Sequence, residues 1–172
     1  MVKIADLNEA SLKAKEIIRN AFPLDKSNTK FVAPAKLERT SKGFKCTTIT
    51  KIPGQKSRTK TVLCNLEPGF NGYFNACPSV TVDCSCARYL FVYNYALNQH
   101  DAAIKDRTNG EPPVVTNPEN VAGCCKHGVL VLKMLSTMNP YWIASKAAAN
   151  SGKPIRLTNL DQMLKKIRRN RV

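Results

Sequence analysis

Val80-Thr81-Val82-Asp83-Cys84-Ser85-Cys86-Ala87-Arg88-Tyr89 and, further on, Cys124-Cys125-Lys126-His127 are the two stretches that decide how this chain is read. In the first, Val80, Val82 and Cys84 alternate as one face of a β-strand, so the strand delivers Cys84 to its end. Beyond Cys86 the period changes. Leu90, Phe91, Tyr93, Asn94 and Leu97 recur at helical spacing and predict a helix from Ala87 to Asn98 with an apolar and aromatic ridge on one side. In the second stretch, Lys126 to Met138 reads as a helix with Leu130, Met134 and Met138 as its stripe, and Pro140 stops it. Each Cys pair or Cys/His pair therefore sits where an element begins or ends.

That placement has chemical meaning. Cys84 and Cys86 offer two thiolates, and Cys125 and His127 offer a thiolate and an imidazole, which together make the Cys₃His set that tetrahedral Zn²⁺ favours. On a regular helix, residues two apart point about 200° away from each other. Both pairs must therefore occupy a turn or a helix start whose backbone turns the two side chains inward. Cys124 adjoins Cys125 and can replace it, although the matching Cys-x-Cys and Cys-x-His spacings favour Cys125; Cys77 is a reserve ligand. The bland alternative is that these are small buried hydrophobes. Disulfides are not expected, because seven Cys is an odd number and the N-terminus has no long apolar block ahead of a small-residue cleavage site.

Working outward, a Thr-rich run from Phe44 to Ile52, the turn signal Pro53-Gly54 and a second run from Thr59 to Leu66 predict a β-hairpin. Phe44, Cys46 and Ile52 share one parity in the first run, and Val62, Cys64 and Leu66 share one in the second, so each strand can bury a single face and Cys46 and Cys64 read mainly as core thiols. Upstream, Asp6 with Glu9 can cap a helix that carries Leu7, Ala10, Ala14, Ile17, Ile18 and Ala21 on one stripe and ends at Pro23. Asp25 to Ser41 has no sustained period and contains Pro34, so it is expected to lie as an extended arm. The Asn109-Gly110, Pro112-Pro113 and Asn117-Pro118 punctuation predicts a long loop. Tyr141 to Asn150 reads as a short Ala-rich helix. A last helix starts at Thr158 with Leu160, Leu164 and Ile167 as its seam, and it ends in Lys165, Lys166, Arg168, Arg169 and Arg171.

The fold class expected is α+β: a small antiparallel sheet, a zinc knuckle linking it to two packed helices, and helices at both ends. Residues 1–41 form a helix and arm, 42–140 the metal-binding core, and 141–172 a basic helical extension. With 172 residues, 27 Lys+Arg against 12 Asp+Glu and a net charge of +15, the chain is one small basic unit. It has no apolar run of membrane-spanning length, and it is read as soluble and unsecreted. The charge attracts polyanions without choosing among them.

The order Cys-x-Cys, long spacer, Cys-x-His, with a strand before the first pair and a helix after it, resembles the SWIM zinc finger. The resemblance covers Val80 to about Leu135 and implies Zn²⁺ held by Cys84, Cys86, Cys125 and His127. Asn109-Gly110-Glu111-Pro112-Pro113 followed by Thr116-Asn117-Pro118 and Cys125-Lys126-His127 resembles a variant found in small tailed-phage proteins, many of them virion components. That implies a protein made in the host cytoplasm and carried in the virion. Its partners would be portal, neck or capsid-type subunits, with DNA contact possible and no membrane or small-molecule substrate.

Four protein ligands leave a zinc ion no open position, which disfavours hydrolysis. His127 is committed as a ligand, His100 has no recognisable acid or thiol partner, and Gly54-Gln55-Lys56-Ser57 lacks the earlier glycine of a phosphate loop, since position 49 is Ile49. No enzyme is expected. Two readings remain: a zinc-stapled structural protein of a phage particle, or a free nucleic-acid-binding module. In either, Lys56, Arg58 and Lys60 of the hairpin, with Lys51 beside them, and Lys165, Lys166, Arg168, Arg169 and Arg171 of the tail would touch phosphates or an acidic partner. The plain alternative for the hairpin cations is a solvated face. Tyr89, Phe91, Tyr93 and Tyr95 read as a core ridge rather than a base-stacking platform.

Overall fold

A computed structural model describes residues 11–70 and 72–138, and the backbone of 155–156. The order is α1 (Ala14–Asn20), α2 (Pro23–Ser27), a 3₁₀ turn (Asn28–Phe31), β1 (Val32–Arg39), β2 (Gly43–Thr50), β3 (Arg58–Leu66), a second 3₁₀ turn (Phe74–Ala76) and β4 (Val80–Cys84). A π-helical turn (Tyr89–Tyr93) then runs into α3 (Asn94–Gln99), followed by α4 (Lys126–Thr137) and β5 (Ile155–Arg156). The strands lie in the order β4-β3-β2-β1-β5, and every neighbouring pair is antiparallel. The class is α+β, as the patterning implies.

Register sets what faces the core. Phe44 pairs with Cys64 and Cys46 with Val62, while on the next strand Cys64 pairs with Val82 and Val62 with Cys84. Directly opposed residues share a face. These six therefore form one inward patch, and all are buried. Helix α4 lies against this patch through its contacts with β1, β3 and β4, and α1 packs beside α4 with Ile17 fully buried. The apolar face of α4 is wide, including Val129, Val131, Leu132, Met134 and Leu135. Cys46 and Cys64 are core thiols, and burial pushes Cys46 up to about 12 and Cys64 higher still.

Three elements differ from the sequence reading. The segment expected as an arm contributes β1, which pairs along its length with β2 and also with β5. A bulge between Pro34 and Lys36 accommodates the proline and shifts the parity, so that buried Val32 and Leu37 stand five apart and leave no period to read. Among the described residues the first helix begins at Ala14, so no unbroken helix runs from Asp6 to Ala21. Ser11 to Lys13 are non-helical, the Leu12 carbonyl accepts the Val80 amide, and Glu16 folds back onto the Lys13 amide at 2.8 Å to close the helix start. Asp6 itself lies outside the described residues. Pro23 does not simply end this helix; it opens α2.

The third difference is the face of the helix after Cys86. Tyr89, Val92, Tyr93, Ala96 and Leu97 are buried, whereas Phe91 is 66% exposed and Leu90 only half-buried. Four successive apolar residues, Leu90 to Tyr93, leave the face undetermined by periodicity. Hydroxyl partners select it: Tyr89 donates to the Val82 carbonyl at 2.6 Å and Tyr93 to Asp25 at 2.6 Å. The π-helical turn is held by the long loop, because Thr116 donates to the Phe91 carbonyl and Asn117 to the Val92 carbonyl. The helices expected over Tyr141 to Asn150 and from Thr158 lie outside the described residues.

Candidate metal centre

Two helix starts meet over the end of β4. Ser85 fixes the first turn: its amide donates to the Thr61 carbonyl at 3.0 Å, and its hydroxyl accepts the Thr61 amide at 2.9 Å. This double bond to β3 turns the chain so that Cys84 and Cys86 face the same side. The Cys86 sulfur accepts the Tyr89 amide at 3.3 Å, acting as the cap of the helix that follows. Cys125 holds the same position on α4, whose N-cap it is. Amide dipoles of both helices thus aim their positive ends at sulfur, which favours thiolate.

Cys84, Cys86, Cys125 and His127 are all buried, and one ligand atom from each lies within 4.8 Å of all the others. A tetrahedron with zinc–sulfur bonds near 2.3 Å places ligand atoms about 3.5 to 3.8 Å apart. Cys125 Sγ and His127 Nδ1 stand at 3.8 Å, so slight closure of the widest pair meets the requirement. The opposite ring nitrogen, Nε2, lies 2.9 Å from the buried Thr50 hydroxyl. With an ion on Nδ1, Nε2 would carry the hydrogen and donate it to Thr50, the outer-layer bond that fixes tautomer and ring plane at metal-bound histidines.

The charges also call for a cation. Burial raises the Cys125 thiol, but hydrogen bonds from Cys124, Cys84 and Cys86 outweigh it and hold Cys125 well below the usual thiol range. Bonding to Cys125 pushes Cys86 up to about 12, and the same bond, with one to Cys86 and with burial, raises Cys84. Three buried sulfurs this close repel one another as thiolates, and a divalent ion among them removes that repulsion.

Cys124, the alternative to Cys125, is outside this group. Its sulfur lies against Gly128, where any Cβ would meet it, and its hydrogen bond to Cys125, with burial, raises its own thiol. Cys77 is remote, donating to the Ser79 carbonyl at 2.9 Å. Lys56, Arg58 and Lys60 lie at the β2–β3 turn and the start of β3, beside the cluster. Lys165, Lys166, Arg168, Arg169 and Arg171 lie outside the described residues.

The chain matches no family model, no curated protein and no solved structure. What the site can do therefore rests on its own geometry: four buried soft and borderline donors that can hold a metal ion.

Sequence reasoning missed Thr50 and the Asp25 cluster. Asp25 is 4% exposed and accepts from Tyr93 and from Arg88, whose Nη2 is 2.9 Å away; Tyr93 in turn accepts the Phe22 amide. This cluster ties α2 to the helix that leaves Cys86. Thr50 was legible in one respect, since it shares parity with Phe44 and Cys46. Among the described residues, no helix is long and apolar enough to cross a membrane.

Proposed function

We propose that this is a non-enzymatic, zinc-stapled binding and scaffolding protein of SWIM-like type, in which the ion joins the β4–helix junction to the start of α4. The observation that carries the reading is the convergence of Cys84, Cys86, Cys125 and His127, with Thr50 behind the imidazole. Four protein donors saturate a tetrahedral ion, so its work is structural. The resemblance of the 109–127 segment to small tailed-phage proteins supports a place in a virion, where the domain would hold neighbouring subunits. The positive charge of +15 supports the second reading, a free nucleic-acid-binding module.

Elemental analysis tests the metal: the native protein should carry about one zinc per chain. Cys86→Ser should lower metal content and melting temperature together, and unchanged values for both would overturn the assignment. Stoichiometric presence in purified particles separates the virion reading from the free module.

A further inference from the structure

The inward face of the sheet changes character beside the N-terminal end of α4. Cys64 and Val62 lie under the helix, but the next two inward positions of β3 are Lys60 and Arg58, paired with Thr48 and Thr50. At a solvated face such cations would alternate away from the core; here they continue the core's own parity. They wall a pocket of about 330 Å³ that opens directly over the metal cluster, with Cys86, His127 and Thr50 in its lining. Lys56 comes from the turn, Arg88 from two residues past Cys86, and Lys126 from between Cys125 and His127. Against five cations the pocket offers one carboxylate, Asp25, and Arg88 already engages it. Among the described residues, Lys56, Arg58, Lys60 and Lys126 form no ion pair. Its apolar rim, Leu24, Ile52 and Ala87, contains no aromatic ring on which a base could stack.

From this we infer that the pocket is a binding site for the phosphodiester backbone of a nucleic-acid strand, entered without base readout and shaped by the metal centre. Convergent Lys and Arg from three separate elements recognise phosphate oxygens, and sequence-independent contacts of this kind carry most of non-specific nucleic-acid affinity. The chain's net charge of +15 steers a polyanion toward it. Arg88 and Lys126 are each within two residues of a ligand cysteine, so a bound ion would hold the backbone that carries them, while Asp25 holds the Arg88 guanidinium. In that respect the inference rests on the metal reading, and it chooses nucleic acid over an acidic protein as the pocket's occupant.

The test uses the full chain, its metal content measured, with a fluorescent twelve-nucleotide single strand as probe. Lys60→Gln with Lys126→Gln removes two pocket cations, and Lys56→Gln with Arg58→Gln is a second pair on the exposed turn should the first perturb folding. Lys105→Gln with Lys133→Gln removes the same charge outside the pocket lining. Each pocket pair should weaken binding about tenfold and flatten the log–log salt slope by about 1.4, two contacts at roughly 0.7 each for a single strand. The control pair should do neither. Equal loss in control and pocket pairs, or displacement of the strand by an oligoglutamate peptide at equal charge concentration, would overturn the proposal. A wild-type protein without bound metal would sink the metal reading alone, because the comparison among variants is still decided by the same slopes.

Discussion

At the scale of single residues, metal binding at the Cys84, Cys86, Cys125 and His127 cluster would depend on groups that never touch the ion. Thr50→Val keeps shape but takes the acceptor from His127 Nε2, and outer-layer losses of this type cost about 10- to 100-fold in metal affinity. Competition with a colorimetric chelator reads that loss directly. The thiols set the pH response. Cys84 and Cys86 are raised, so both hold protons at neutral pH in the metal-free protein, whereas Cys125 is held well below the usual thiol range. Binding an ion then expels two protons. Affinity should rise with pH through the neutral range and fall about a hundredfold for each unit of acidification. A pH series of zinc titrations that came out flat would contradict this. Gly128 shows two effects in competition: alanine would gain about 1 kcal/mol in helix propensity but would collide with the Cys124 sulfur, and overpacking costs about 1–3 kcal/mol. The clash wins, and Gly128→Ala should lower the melting temperature.

Among the elements, the β2–β3 hairpin, β4 and α4 were legible in the amino-acid pattern because each keeps an unbroken period between clear turn signals. Strand β1 was not. Its bulge at Pro34 moves the buried residues from Val32 to Leu37, an odd spacing that no alternation template matches. The helix after Cys86 was legible as a helix but not as to its face, since the deciding contacts, Tyr89 to Val82 and Tyr93 to Asp25, join it to β4 and to α2 rather than to anything within the apolar run. The four metal donors were visible because their spacing repeats; Thr50 was not singled out because a threonine in a strand has no marked chemistry until a ring nitrogen faces it. Asn117 belongs to the same hidden class. It is 1% exposed, donates to the Val92 and Val121 carbonyls and accepts the Val121 amide, so it locks the long loop onto the π-helical turn. Asn117→Ala leaves those buried groups unpaired and should cost about 1–3 kcal/mol, seen as faster amide exchange in residues 114–122.

For the molecule as a whole, an ion held by Cys84, Cys86, Cys125 and His127 would close the excursion 87–124 at both ends. A covalent cross-link around a loop of that length would contribute about 4 kcal/mol by chain entropy, and for a chain of this size that is worth about 10 °C in melting temperature. Chelation should lower stability by that order while leaving the apolar sheet core in place, because Phe44, Val62, Val82, Leu132 and Leu135 are buried independently of the donors. Far-ultraviolet dichroism that collapsed entirely on chelation would show instead that the core cannot stand alone. The exposed Val114 and Val115 at the far side of the excursion make a natural point of attack for a protease that prefers apolar residues. Severing the backbone there would yield two polypeptides that still travel as one particle, clasped by sulfur and imidazole and by the seating of α4 on the sheet, and drawing off the metal would leave the apolar seat as their remaining grip.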